Sequence, residues 1–428
     1  MQKISKTIST GKLLLTGANA RNGIVSVIDQ ALVSGKTFLT SVIVARACGK
    51  EELGFYVLGF SFIIFFTNLQ NSFILSPYTV YRSKLNGETH SKYAGSTLVH
   101  QLVLTVISMV VIAIAALIFT LSNGPRGLVH VLWVLAVAIF FIMLQEYARR
   151  ICIARLKMKT AFLLDLFVAI IQIGGILLVL WMKILSPSMA YWVTCIACGS
   201  TALVWVIMMR KEFKFHLSAI ISDLKLNFSF GKWVFGTRIT SMADSLVFPW
   251  LLNAYYGSGT TGIYAACAGT VALANPFLFG IGNYLAPLSS QIYSSGGPDK
   301  LRRLVLKSFI ILIIPMCIFG LIMLLFGERL LTFLYGSKFV GNGLLVLILA
   351  ISFIVHTLAM GYGYGLWALE RSDQEFKANT IGLGITIILG IGFVKRFGAL
   401  GLASSLLIGN IIAIVIRLFS FNKLIKSM

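Results

Sequence analysis

Apolar runs of about 17 to 26 residues recur along the whole of this 428-residue sequence, and each is long enough to cross the hydrocarbon core of a bilayer. Helices of soluble domains are shorter, about 11 residues on average. The composition is what such runs produce: 58% of the residues are hydrophobic and only 12% are charged. The expected class is therefore an all-α polytopic membrane protein. The first apolar run begins only after residue 22 and is too long for a signal-peptide core, so it is expected to remain as a helix.

Twelve spans are expected, at roughly 23–47, 53–78, 97–121, 128–145, 160–184, 188–209, 231–255, 261–286, 304–327, 339–363, 378–394 and 398–420. In a soluble chain a net charge of +22 would point to nucleic acid, but here the cations alternate between loops. With the N-terminus inside, 26 of the 36 Lys and Arg residues fall on cytoplasmic segments and 8 on outer ones, leaving Lys36 and Arg238 within spans. That asymmetry is the positive-inside signal, and it predicts a multi-pass protein of the plasma membrane with both termini in the cytoplasm. The basic loops are read as this signal rather than as a lipid-headgroup site, and no nucleic-acid partner is expected.

The longest loop, RKEFKFHLSAIISDLKLNFSF at 210–230, mixes apolar with basic residues and is expected to lie as an amphipathic helix on the inner surface. Its central position divides the chain into an N-terminal lobe at 1–210, a connector at 211–230 and a C-terminal lobe at 231–428, with six spans in each lobe. An internal repeat fits this division, because Gly49, Gly54 and Tyr56 after the first span recur 208 residues later as Gly257, Gly262 and Tyr264 after the seventh. The same offset carries Lys36 onto Asp244.

Ionisable residues inside spans cost at least ~2.5 kcal/mol each and turn towards a bundle interior or a watery path. Asp29 and Lys36 lie seven residues apart in the first span, hence on nearly one face of a helix. Lys36 and Asp244 each fall about 13 residues into their spans, near mid-membrane. Asp29, Lys36 and Asp244 are the expected substrate and ion cavity residues, with Arg238 a further candidate. Lys36 would attract an anionic group while the two aspartates hold it ready or exchange a cation; the structural alternative is an ion pair that locks the lobes. Asp165 reads as interfacial, and His356 as a packing histidine or a proton relay. GIGNYLAP at 280–287, with Pro287, and GYGYG at 361–365 read either as bends or as close-packing stretches. Cys195 and Cys198 read as small buried residues, with no metal or cofactor expected. No phosphate loop, HExxH or GxSxG is present, so no catalytic residues are assigned and the chain is not expected to be an enzyme.

The turn ARACGKEELGFY at 45–56, its counterpart GSGTTGIYAA at 257–266 and APLSSQIYSSGGPDKLRRL at 286–304 resemble the polysaccharide-transport, or O-antigen flippase, family of the multidrug/oligosaccharidyl-lipid/polysaccharide exporter superfamily. TSMADSLVFPWLL in the seventh span resembles the family's pattern with a central aspartate, here Asp244, although Ser245 stands where members often carry a basic residue. The resemblance implies two pseudo-symmetric six-helix lobes around a central cavity. It also implies movement of a polyprenyl-diphosphate-linked oligosaccharide across the plasma membrane for O-antigen lipopolysaccharide, capsule or exopolysaccharide, with Lys36 meeting the diphosphate and alternating access exposing the cavity to each side. The implied partners are the lipid-linked oligosaccharide, the bilayer, a coupling ion (H+ or Na+) and glycan polymerase components. Two other readings stay open: a cation-coupled exporter of small drugs, using Asp29 and Asp244, and a non-transporting scaffold of a glycan-assembly complex.

Overall fold

The computed structural model describes residues 18–82, 85, 87–155 and 157–427; the side chains of some helical residues, Asp244 and Pro287 among them, lie outside the described set. Among the described residues every element is helical and none is a strand. In chain order, α1 is Ala18–Cys48 and α2 is Lys50–Arg82, with a π-helical turn at Asn71–Leu75. There follow α3 (Gly87–Leu121), α4 (Arg126–Ala154), α5 (Met158–Trp181) and α6 (Pro187–Met209). The rest of the chain forms long helices interrupted at glycines with positive φ, a conformation that costs glycine nothing. Gly257 (φ 76°) separates α7 (217–256) from α8, which continues through a 3-10 turn to 296; Gly297 (φ 70°) then separates α8 from α9 (298–335). After α10 (Gly343–Ala368), Gly398 (φ 57°) separates α11 (372–397) from α12 (399–427). These are twelve rods, one for each expected span.

Among the described residues nine helices, before division at these glycines, are long and apolar enough to cross a membrane. The helix Leu217–Val271 is not one of them; its sequence carries Thr237, Arg238, Thr240, Ser241, Asp244 and Ser245 in its middle. The stretch expected as a surface connector, 211–230, ends in the first turns of this helix. Those turns are tied to α3, where His100 Nε2 lies 2.8 Å from the Ile220 carbonyl and the Tyr93 hydroxyl donates to Asn227 Oδ1 at 2.7 Å. The start of α6 shows ordinary helix chemistry: Ser186 accepts from the Met189 amide at 3.2 Å, and Pro187 occupies the first turn, where no amide hydrogen is needed.

Packing is arranged for hydrocarbon outside rather than water. The exposed face of α3 carries Val103, Val106, Ile107, Val110, Val111, Ile114 and Ile118, while its buried face carries Thr97, Gln101, Thr105 and Ser108. Polar groups turn inward because lipid offers them no hydrogen-bond partner. Gln101 and Gln70 both direct their amide nitrogens at the Met143 carbonyl, at 3.4 and 2.8 Å.

By packing, the chain forms two compact units, the first of residues up to Val44 together with Phe62–Arg238, the second of Ala45–Ser61 with Ile239–Met428. One end of the first unit is an aromatic core in which Tyr78 stacks on Tyr93 and Trp205 meets both Tyr147 and Phe213 edge-on. The second unit includes the α1–α2 turn, and the internal repeat explains why. At Gly54 a Cβ would strike the Ser258 carbonyl, and at Gly262 a Cβ would strike the Lys50 carbonyl. The two equivalent glycines thus pack each helix start against the other, as a pair related by the repeat would do. Arg46 fastens the same turn by donating to the Leu334 carbonyl at 2.7 Å and to the Phe333 carbonyl, the favourable end of the α9 dipole for a cation.

This crossing predicts opposite outcomes for one substitution at two sites. Gly54→Ala should destabilise the protein by about 1–3 kcal/mol, since backbone lies where the methyl would go. Gly174→Ala, a helical site with nothing within 4 Å of its Cβ, should be neutral or stabilising by up to about 1 kcal/mol. Thermal unfolding in detergent, read by size-exclusion profile, separates the two.

Candidate functional site

The most highly charged site among the described buried residues lies in the first unit and is built around Arg149, near the C-terminal end of α4. Only 5% of this residue is exposed. Its Nη2 donates to Asp29 Oδ2 on α1 at 2.8 Å, its Nε donates to Asp165 Oδ2 on α5, and its Nη1 lies 3.6 Å from Glu146 Oε2 one turn earlier on α4. Gln145 Nε2 donates to the other Asp165 oxygen at 2.8 Å. Spacing on α4 makes this possible, because residues three and four apart share a face. Glu146 in turn accepts from Arg150 Nε at 2.6 Å, and the Arg150 side chain is 42% exposed. Three carboxylates therefore converge on one buried guanidinium. Truncating one partner of such a network strands the others in a low-dielectric interior, at a cost of about 3–5 kcal/mol.

Asp29 is thus held by Arg149, and its second oxygen, Oδ1, is buried without a hydrogen-bond partner among the described residues. Lys36, two turns along α1, is half-buried and has no ion-pair partner among the described residues. Arg238 on α7 is also half-buried, and its Nη1 donates to Asn68 Oδ1 at 3.3 Å. The first unit therefore presents Lys36, Arg150 and Arg238 as partly exposed cations on its helices. The Asp244 side chain lies outside the described residues; its backbone belongs to α7, six residues beyond Arg238.

Arg149, Glu146 and Asp165 were not among the expected cavity residues. Arg149 and Arg150 counted as loop cations because the apolar run ends at residue 145; the helix instead continues to Ala154 and buries Arg149. A signal was present in QEYARR at 145–150, whose Glu146 and Arg149 recur at helical spacing beyond the apolar run. Asp165, expected at the interface, is 1% exposed because Arg149 and Gln145 satisfy it.

The GYGYG run neither ends nor bends α10, which continues to Ala368. Its glycines are close-packing sites: a Cβ at Gly361 would strike Ser308 Oγ, and one at Gly365 would come within 2.8 Å of Phe421. His356, exposed rather than packed, borders a cavity of about 150 Å³ within the second unit. Cys195 and Cys198 are buried free thiols. Among the described residues no group of three His, Cys, Asp or Glu side chains is placed to hold a metal ion.

The fold is shared with solved transporters. A multidrug resistance MATE family transporter of the MOP superfamily, in an inward-facing conformation, superposes with a TM-score of 0.75 at 14% identity, covering 93% of this chain and 95% of that one. Lipid II flippase MurJ, in an inward closed conformation, gives 0.69 at 18% identity, covering 94% and 87%. In sequence the chain is 22% identical over 395 residues to a probable low-salt glycan biosynthesis flippase, Agl15, of Haloferax volcanii, covering 90% of this chain and 79% of the relative. It also matches an uncharacterised membrane protein of Methanocaldococcus jannaschii (25% identical) and the capsular polysaccharide biosynthesis protein CapF of Staphylococcus aureus (23%). The matches cover 56% and 41% of this chain and 48% and 44% of those relatives, so the chain spans about half the length of each. The match that assigns it covers residues 20–293, from α1 into α8: the chain belongs to the polysaccharide biosynthesis protein family, on the two-lobed fold of the MATE and MurJ transporters.

Proposed function

We propose that the protein is a flippase that moves a polyprenyl-diphosphate-linked oligosaccharide from the inner to the outer leaflet of the plasma membrane, for synthesis of a cell-surface polysaccharide. The observation that carries this reading is the pair of half-buried cations, Lys36 and Arg238, that have no ion-pair partner among the described residues of a family tied to polysaccharide biosynthesis. A cation left unpaired on a membrane-spanning rod is stable only beside water or an incoming anion. The diphosphate supplies that anion. The sugar headgroup is too polar to cross hydrocarbon unaided, whereas the polyprenyl tail can stay in the bilayer throughout. The protein's work is then to open a hydrated path to each side in turn, with no bond made or broken. Both termini are assigned to the cytoplasm by the loop-charge asymmetry. Asp244 is proposed to face the same path.

A second reading, export of small molecules driven by a cation, is favoured by one feature: three carboxylates outnumber the single buried arginine they surround, so one of them can take up a proton. Ion coupling is compatible with flipping, so this network is also the proposed coupling site of the flippase. Glycan polymerase components are proposed as partners at the outer leaflet.

Two expected outcomes follow. Deleting the gene should remove surface glycan and trap lipid-linked precursor on the inner leaflet; Lys36→Ala should fail to restore the glycan, with substrate affinity lowered roughly 10- to 100-fold by the loss of a charge-assisted contact worth about 1.5–3 kcal/mol. Lys36→Arg should restore it in part. Unchanged glycan and precursor in the deletion, with altered drug tolerance, would favour the exporter. Arg149→Ala, by contrast, should act through folding. It should lower the yield of monodisperse protein and its unfolding temperature, and a second change, Asp29→Asn, should recover part of that loss, whereas Lys36→Ala should leave both close to wild type.

A further inference from the structure

The flippase reading accounts for the cations of the first unit but leaves the 150 Å³ cavity of the second unit without a role. Building on that reading, we propose that this cavity is the subsite that holds one pyranose ring of the glycan headgroup. Its wall is one face of α10, where His356, Met360, Tyr364 and Trp367 stand at successive helical turns. Trp367 is 53% exposed and meets Tyr364 edge-on, with ring centroids 5.5 Å apart. Its floor is an ion pair between α11 and α12. Arg417 Nε and Nη2 donate to the two Glu375 oxygens, both at 2.9 Å, and Nη2 also donates to Asn379 Oδ1 at 2.6 Å. No hydrogen bond of Arg417 Nη1 to a described residue accompanies them. Gly363 keeps this floor open, since a Cβ there would stand 3.2 Å from both Glu375 oxygens.

Three arguments select a sugar. The size is that of a six-membered ring: an apolar cavity of about 150 Å³ holds benzene. The chemistry is mixed, with flat aromatic surface for the C–H face of a pyranose and a fork of donors and acceptors for neighbouring hydroxyls. The charge is balanced, because Arg417 is already neutralised by Glu375, so the site suits a neutral polyol better than a diphosphate, for which Lys36 and Arg238 are available. An acyl chain would set the histidine and the Arg417–Glu375 pair against hydrocarbon, whereas ionisable residues on a spanning helix ordinarily border water.

The test places the photo-reactive amino acid p-benzoylphenylalanine at Met360 of the full chain, in cells that make the native glycan, and identifies the adduct by mass spectrometry before and after mild acid, which cleaves the sugar–phosphate bond. The expected adduct keeps the glycan mass after acid, is absent when the label sits at the lipid-facing Ile311, and falls about tenfold on Trp367→Ala but far less on Trp367→Phe. If the Met360 variant fails to fold, the label goes at the exposed Trp367, where a glycan adduct is again expected. An adduct of phospholipid or polyprenyl chain only, or none, in cells whose deletion strain traps lipid-linked precursor, overturns the subsite and leaves the flippase reading standing. A deletion strain that traps no precursor overturns both.

Discussion

A medium that cannot hydrogen-bond governs this molecule. With hydrocarbon on its outer faces, each polar group on a spanning helix must find a partner inside, and the buried guanidinium of Arg149 is where that demand is heaviest. It gathers Asp29 from α1 and Asp165 from α5 while standing on α4, so three rods are pinned to one point. The same logic turns Gln101, Thr105 and Ser108 inward on α3 and leaves valines and isoleucines outside. Apolar packing alone cannot select these orientations, because lipid is as apolar as leucine.

Satisfying some charges makes the remaining ones informative. Once Arg149 has taken Asp29 and Asp165, and Glu146 has taken Arg150, Lys36 and Arg238 are left as half-buried cations without an ion pair among the described residues. In the second unit Arg417 is neutralised by Glu375, and its surroundings are aromatic. One unit thus offers charge and the other a neutral, ring-sized recess, which are the two chemistries found in a sugar diphosphate.

Much of the fold was legible in the sequence, because span length and loop charge act at short range and need no tertiary information. All twelve expected spans have a rod in the structure, and the Gly49–Gly257 repeat marks two sharp junctions that depend on positive φ. The partners of Asp29 were not legible in the same way. Its arginine lies 120 residues away on a helix whose last turns look like a basic loop, and hydropathy ends a span where the apolar residues end, not where the helix does. The recess was missed for a related reason: Glu375 and Arg417 lie 42 residues apart in sequence, and only the meeting of α11 with α12 makes them a pair. GYGYG was legible as a choice between bending and close packing, and the atoms that surround Gly361 and Gly365 decide for packing.

The most direct measurement is translocation by the purified protein in sealed vesicles containing a polyprenyl-diphosphate-linked oligosaccharide with a fluorescent sugar, read by quenching with a membrane-impermeant reductant. The account predicts that wild-type protein brings inner-leaflet sugar within reach of the quencher, so that quenching proceeds beyond the outer-leaflet share, and that Lys36→Ala does so much more slowly while remaining folded. Quenching that stops at the outer-leaflet share with folded wild-type protein, under imposed H+ and Na+ gradients as well as without them, would contradict it.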